Sequence, residues 1–363
     1  MLKQVILSFL STILISFTLH ADNETVKIGA LLCLSGDCAE TGQNALNGAM
    51  LAVEEINNSG GILKRKVELV VEDTQEQASP ANSVSAYQKL KMQSNINYLI
   101  GPSWTIGALP IAPIIAKDSN VVITAPSVGV ADFNETSANI FNIWPHDSIA
   151  TKKLARFALS KNFKRATIFS NQNPWESAQA KIFNDEFKRL GGEVELLLEP
   201  LASTRDLKSE VLKIKQVNPD FVFFSNYTQM DIASIELKRQ KYQGQILAIL
   251  MDETRLKNSR GALQGAIFAD YPPATEMFKN NYYNKYKVKA GIASNTGYDV
   301  IKMYALAFEK ANSFDVQKVL PIYKSLEYNG ASGFIKFDEK GGVQKKPWLY
   351  VVKDSKVEVF SKE

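Results

Sequence analysis

KIGALLCLSGDCAETGQNALNGAMLAVEEINNSGG, residues 27–61, joins a buried strand, a polar loop and an amphipathic helix that ends in Gly60-Gly61. This unit opens an α/β domain. Upstream, residues 1–21 carry one early lysine, Lys3, and an apolar run from Val5 to Leu19. The small residue Ala21 then precedes the polar Asp22-Asn23-Glu24. That is the pattern of a secretory signal peptide, cut near Ala21. The apolar run is short for a bilayer span and has no stop-transfer flank. A lipid-modified start would need a cysteine at the cut, and the first, Cys33, lies well inside the first strand. The reading is an exported, soluble, unanchored protein of the periplasm.

Downstream the same unit recurs. KVELVVED (66–73), INYLIGP and VVITAPS read as strands, separated by the helical patterns SPANSVSAYQKLKMQ and IGALPIAPIIAKDS. Continuously apolar strands alternating with amphipathic helices indicate a parallel sheet covered on both faces. IFNIWP (140–145) reads as a strand leaving this domain, after which the alternation restarts with SIATKKLARFALSKN, RATIFSN, WESAQAKIFNDEFKRLGG, EVELLLEPL, DLKSEVLKIKQVN, DFVFFSN, MDIASIELKRQKYQ and QILAILMD. A strand GAIFAD (265–270) then meets Tyr271-Pro272-Pro273, where neither a helix nor a central strand can continue, so a crossing between domains is expected there. Two helical patterns, another helix, and the strand-like runs GFIKFDEKG and PWLYVVKDSKVEVF close the chain. The fold class is therefore α/β, with two doubly wound parallel-sheet lobes.

The 363 residues, less the signal, suit about two domains of ordinary composition, with 45% hydrophobic and 22% charged residues. The net charge of +4 is spread along the chain, and no groove-reading motif appears, so nucleic acid is not an expected partner. Cys33 and Cys38, five apart in a chain bound for an oxidising compartment, are either a small-loop disulfide or two packed thiols. Metal binding is not expected, because partner ligands are lacking. Of the two histidines, His20 lies in the signal and only His146 remains, beside Pro145 and Asp147 at the first expected crossing.

Several segments in order carry a family resemblance: KIGALLCLSG, NGAMLAVEEINNSGGI, GPSWTIGALPIAPIIAKDSNVVITAPS, FVFFSNY, TGYDVIKMYALAFEKAN and SGFIKFDEKGG. Together they resemble the type I periplasmic binding proteins, above all the leucine/isoleucine/valine-binding receptors of ABC importers. The resemblance covers essentially the whole mature chain. It implies two lobes joined by a three-crossing hinge, closing around a small solute. Lobe 1 is then residues 22–146 plus 271–346, and lobe 2 is 147–270 plus 347–363. It also implies a monomer without a cofactor, and an ABC permease of the inner membrane as partner.

In open α/β sheets, ligands sit at the carboxyl ends of strands near helix N-termini. Gly101-Pro102-Ser103-Trp104-Thr105 is such a loop, offering hydroxyls and free backbone N–H groups to a carboxylate. By resemblance, Thr105 falls where the family holds the ligand carboxylate, and Ala125 and Ser127 where backbone groups serve. Gly129 stands where amino-acid binders carry a hydroxyl for the ligand amino group. Asp252 and Glu253 fall where an acid meets the ammonium. Tyr227 and Trp175 take the places of aromatic walls, while Thr41 shortens a lid position and Trp104 adds bulk.

An enzyme would need a nucleophile with its base, a metal cluster or a cofactor motif, and none is present. The expected function is a periplasmic receptor delivering a small, apolar, branched-chain-like amino acid to an importer. An amide, urea or aromatic acid as ligand, or a sensory receptor docking on a membrane signalling protein, are the alternatives.

Overall fold

The computed structural model describes residues 25–92 and 96–363, so the signal peptide expected over 1–21 lies outside the described residues. The first sheet is built from β1 (Val26–Leu32), β2 (Val67–Asp73), β3 (Tyr98–Ile100), β4 (Val122–Ala125) and β5 (Ile140–Asn142). Its order is β2-β1-β3-β4-β5, with every pair parallel. The helices α1 (Ala39–Asn58), α2 (Ala81–Met92), α3 (Thr105–Ile115) and the short α4 (Ala131–Asn134) follow successive strands. β1, β3 and β4 are buried along almost their whole length, as a sheet covered on both faces requires.

After β5 the chain crosses to a second sheet. Here α5 (Asp147–Ser160), β6 (Arg165–Phe169), α6 (Pro174–Arg189), β7 (Glu193–Leu198) and α7 (Lys208–Val217) are followed by β8 (Phe221–Phe224), α8 (Met230–Arg239), β9 (Gln245–Ile249), α9 (Glu253–Asn258) and β10 (Ile267–Asp270). It then returns to the first lobe as α10 (Glu276–Tyr286), α11 (Ser294–Ala311), α12 (Val316–Lys324) and the hairpin of β11 (Glu327–Gly330) with β12 (Gly333–Lys336). A third crossing leads to β13 (Trp348–Lys353) and β14 (Lys356–Ser361), which extend the second sheet antiparallel to β10. That sheet has the order β14-β13-β10-β9-β8-β6-β7.

The three crossings make the hinge of a two-lobe fold. In the first lobe, α11 packs on α1 so closely that a Cβ at Gly48 would lie 1.8 Å from the Ser294 carbonyl oxygen, and one at Gly297 2.3 Å from that of Ala45. Tyr304 and Tyr323 bring buried hydroxyls to Thr124 Oγ1 at 3.0 and 2.8 Å, so the polar groups of this core are paired. In the second lobe, Phe183, Phe187, Phe221 and Phe223 stack into one buried cluster.

Two elements differ from the sequence reading. QILAILMD was read as one strand to Asp252, but β9 stops at Ile249. Leu250 adopts φ 62°, which breaks the extended backbone, and Asp252 caps α9 by accepting from Arg255 N at 2.6 Å. PWLYVVKDSKVEVF is not a single strand but a hairpin, turned at Asp354 and Ser355, both at positive φ.

Cys33 and Cys38 are bonded as a disulfide, their Cα atoms 5.8 Å apart. So short a loop removes little chain entropy, and reduction is expected to cost about 2 kcal/mol. Urea unfolding with and without reductant checks this, and a cost near zero would show that packing alone holds the loop.

Candidate functional site

The strand order of the first sheet reverses between β1 and β3, and that of the second between β6 and β8. Crevices outside the carboxyl ends of strands at such reversals are where open α/β sheets bind ligands. A cavity of about 60 Å³ lies there, lined by Thr41, Trp104, Thr105, Ser127, Trp144, Asp147, Asn173, Trp175, Glu176, Tyr227, Leu250 and Ile292. That is room for roughly five waters. A larger cavity of about 640 Å³ shares Thr41 and Trp144 with it and reaches Asp252, Glu253 and the crossings.

The loop after β3 is fixed from below. Gly101 has φ 126°, and a Cβ there would lie 2.0 Å from the Leu31 carbonyl oxygen, so only glycine lets β3 turn over β1. Ser103 Oγ accepts from Cys33 N at 3.1 Å, and Ser127 Oγ donates to the Ser103 carbonyl at 2.6 Å. Trp104 N donates to Glu76 Oε1 at 3.0 Å, and Thr74 Oγ1 to Glu76 Oε2 at 2.5 Å. Burial pushes the Glu76 carboxyl up to about 7. Thr105, 3% exposed, opens α3 at the cavity, and no side chain caps this helix.

From the second lobe, Tyr227 lies edge-on to Trp104, with ring centroids 6.1 Å apart. Tyr227 donates its hydroxyl to Asp252 Oδ2, and the Arg255 guanidinium sits 4.8 Å from the centre of its ring. Asp252 is thus committed to Tyr227 and to the α9 cap. Glu253 is exposed and pairs with Lys289 at 2.5 Å, while Thr254 Oγ1 donates to Glu40 Oε2 at 2.7 Å. Both contacts join the lobes.

Asp147 begins α5 and is 1% exposed. Its carboxylate accepts from Trp144 Nε1 at 3.0 Å and Trp175 Nε1 at 2.7 Å, and its N–H donates to the Gly129 carbonyl at 3.0 Å. Burial pushes Asp147 up to about 7, against the two indole hydrogen bonds, with Asp270 adding a smaller push. Glu176, in the first turn of α6 and 1% exposed, accepts through Oε1 from Tyr227 N at 3.1 Å and Thr228 N at 3.2 Å. Its Oε2 has no hydrogen-bond partner. Burial pushes this carboxyl up to about 8.

Of the residues singled out in the sequence, Trp104, Thr105, Ser127, Trp175 and Tyr227 line the inner cavity together with Thr41. Ser103 and Ala125 sit behind it, the Ala125 carbonyl accepting from Ile143 N at 3.0 Å. Gly129 borders it through Asp147 and Trp175, and Asp252 and Glu253 line the larger cavity. Sequence reasoning missed Trp144, Asp147, Asn173, Glu176, Leu250 and Ile292 as lining residues.

A model described as periplasmic binding protein matches residues 25–356. The leucine-, isoleucine-, valine-, threonine- and alanine-binding protein of Pseudomonas aeruginosa is 24% identical over 344 residues, 91% of this chain and 89% of that protein. The Leu/Ile/Val-binding protein BraC3 of Rhizobium johnstonii is 29% identical over 212 residues, 57% of this chain and 55% of that protein. Among solved structures, the leucine-binding protein LivK of Thermotoga maritima aligns with a TM-score of 0.85 at 23% identity, covering 93% of this chain and 98% of that one. A solute-binding protein of Rhodopseudomonas palustris, in complex with 3,4-dihydroxybenzoic acid, aligns with a TM-score of 0.83 at 19% identity, covering 93% and 96%. Such likeness establishes the two-lobe fold.

Proposed function

Since this chain belongs to the periplasmic binding protein family, whose members are exported solute receptors and not enzymes, we propose that it binds a small amino acid with an apolar side chain and delivers it to an ABC permease of the inner membrane. The relatives named for leucine, isoleucine and valine support that ligand class. The lobes in this reading are residues 22–146 with 271–346, and 147–270 with 347–363, and the signal peptide is removed near Ala21.

One observation carries the reading: the inner cavity is lined by hydroxyls of one lobe, Thr105 and Ser127, and by aromatic and acidic side chains of the other. A solute bridging the two stabilises the closed state by its differential affinity for it, and the closed form is what a permease recognises. The ligand carboxylate lies against Thr105 and the first N–H groups of α3, where the positive end of the helix dipole assists. Trp104, Trp175 and Tyr227 cover the hydrocarbon. Asp252 acts through Tyr227, which it holds in place.

The test is a thermal-shift screen of protein unfolded and refolded to strip co-purified solute. Amino acids, amides, urea and small aromatic acids are compared. Binding stabilises by RT ln(1 + [L]/Kd), about 2.7 kcal/mol at 100 Kd. Shifts with aliphatic amino acids support the proposal; shifts with the other classes alone replace it. Thr105→Ala is expected to weaken binding by about 1–3 kcal/mol. An unchanged affinity by calorimetry would remove Thr105 from the site.

A further inference from the structure

We infer that Glu76, buried beneath the first turn of α3, sets the charge class of solute that the inner cavity accepts: a solute carboxylate at Thr105 binds together with a proton taken up at Glu76. The inference rests on the receptor reading above. It adds a residue that does not touch the solute but decides how tightly a carboxylate is held.

The geometry brings two acids to one helix end. The first N–H groups of an α-helix have no partner within it. Glu76 Oε1 accepts that of Trp104, the residue before α3, at 3.0 Å, and no side chain caps the helix for the N–H groups that follow. Thr105 lines the inner cavity, so a solute carboxylate there shares with Glu76 the positive end of the same dipole. A Cβ at Gly107 would lie 2.3 Å from Glu76 Oε2 and 2.6 Å from its Cδ, so the carboxyl is packed directly against the first turn. Glu76 is fully buried and lines neither cavity. It therefore acts on a solute through its charge and through the loop it supports.

Two buried like charges this close disfavour each other's ionised form, and salt screens them little. The charged group facing Glu76 is Asp73, at the end of β2. The segment after β1 brings the Cys33 and Cys38 sulfurs within 4.8 Å, and α3 carries no charged residue. None of these neighbours is a cation that could offset a second carboxylate.

A proton, by contrast, has a place ready. Thr74 Oγ1 lies 2.5 Å from Oε2, and a hydroxyl can accept as well as donate. Oε2 can then carry the proton and donate to Thr74, while Oε1 keeps its bond from Trp104 N. Protonation removes the charge under the loop without loosening the loop. Burial holds the carboxyl at about 7 without a solute, and a solute carboxylate raises it further. Between those two values the complex holds more protons than the free protein. Affinity for a carboxylate therefore rises as pH falls through this window and levels off below about 7. A solute whose carboxylate is replaced by an alcohol has no such dependence on Glu76.

Glu76→Gln tests the assignment, because the amide oxygen still accepts from Trp104 N while the charge is lost. Calorimetry at pH 6 and pH 8.5 compares wild type and variant with leucine and with leucinol, and circular dichroism checks the fold. Asp147 and Glu176 line the cavity and titrate near the same range, but both are intact in the variant, so the difference between the two proteins belongs to Glu76. Wild type is expected to gain roughly five- to tenfold in leucine affinity from pH 8.5 to pH 6 relative to the variant, the size of about one unit of pKa shift. Heats in two buffers near pH 7 should show proton uptake that the variant lacks, and leucinol should show neither difference. If Glu76→Gln does not fold, Thr74→Val decides instead: it removes the hydroxyl that favours the ionised acid, so the pH profile for leucine should move upward. A variant with the wild-type pH profile, or leucinol showing the same difference as leucine, overturns the proposal and leaves the receptor reading standing. If no solute with a carboxylate binds wild type while an uncharged one does, this inference and the amino-acid reading both fall, and only the family assignment remains.

Discussion

Gly48→Val is expected to destabilise the first lobe by more than about 3 kcal/mol, beyond the usual range for an overpacked core. At Gly48 the new Cβ meets backbone: the Ser294 carbonyl oxygen at 1.8 Å, its carbon at 2.9 Å and Tyr298 N at 3.0 Å. Backbone inside a helix cannot swing aside as a side-chain tip does, so α11 must move bodily off α1. That movement pulls Val300, Ile301 and Tyr304 from the core they share with Ala45, Ala49 and Ala52. For a domain stable by about 5–15 kcal/mol, such a loss is a large fraction of the whole. Met50→Val, on the same helix but with a side chain 49% exposed, introduces the same β-branched residue without the contact. It should cost no more than about 0.5 kcal/mol. Urea denaturation of the two variants separates packing from propensity, and similar midpoints would refute the close-packed crossing.

How much of this molecule is legible in its sequence follows from which signals are local. Apolar runs such as VVITA and FVFFS lie in buried parallel strands because nothing else of that length buries both faces, and both sheets follow from the alternation. The end of β9 is not legible in that way. The backbone breaks at Leu250 and Asp252 caps α9 through the N–H of Arg255, yet an acid after an apolar run looks the same at a strand end. Asp147 and Glu176 hide for a related reason. Each sits in the first turn of a helix, where acids are common simply because they suit the dipole. Their burial comes from Trp144, Trp175 and Tyr227, the last of these brought from 51 residues away to meet Glu176. The resemblance singles out Gly129, but Asp147 and Trp175, which leave no room for a Cβ there, are brought to it only by the fold.

That reason makes Gly129→Ser the most discriminating change in the site. If the ligand amino group merely lacked a hydroxyl partner there, serine would supply one and binding would tighten. With Asp147 in that place, the opposite is expected. The serine Cβ would fall 1.9 Å from Asp147 Oδ2, and the Gly129 backbone cannot retreat freely while its carbonyl accepts from Asp147 N at 3.0 Å. Asp147 must then give up its contact with Trp175, and the indole must turn into a cavity of about 60 Å³. Overpacking of this kind costs about 1–3 kcal/mol. In the proposed site those groups face the solute, so the cost falls on binding as a loss of roughly 5- to 150-fold. Calorimetry on the variant reads the affinity, and indole fluorescence reads whether Trp175 has moved. A tighter complex with an unchanged spectrum would mean that Asp147 yields without cost.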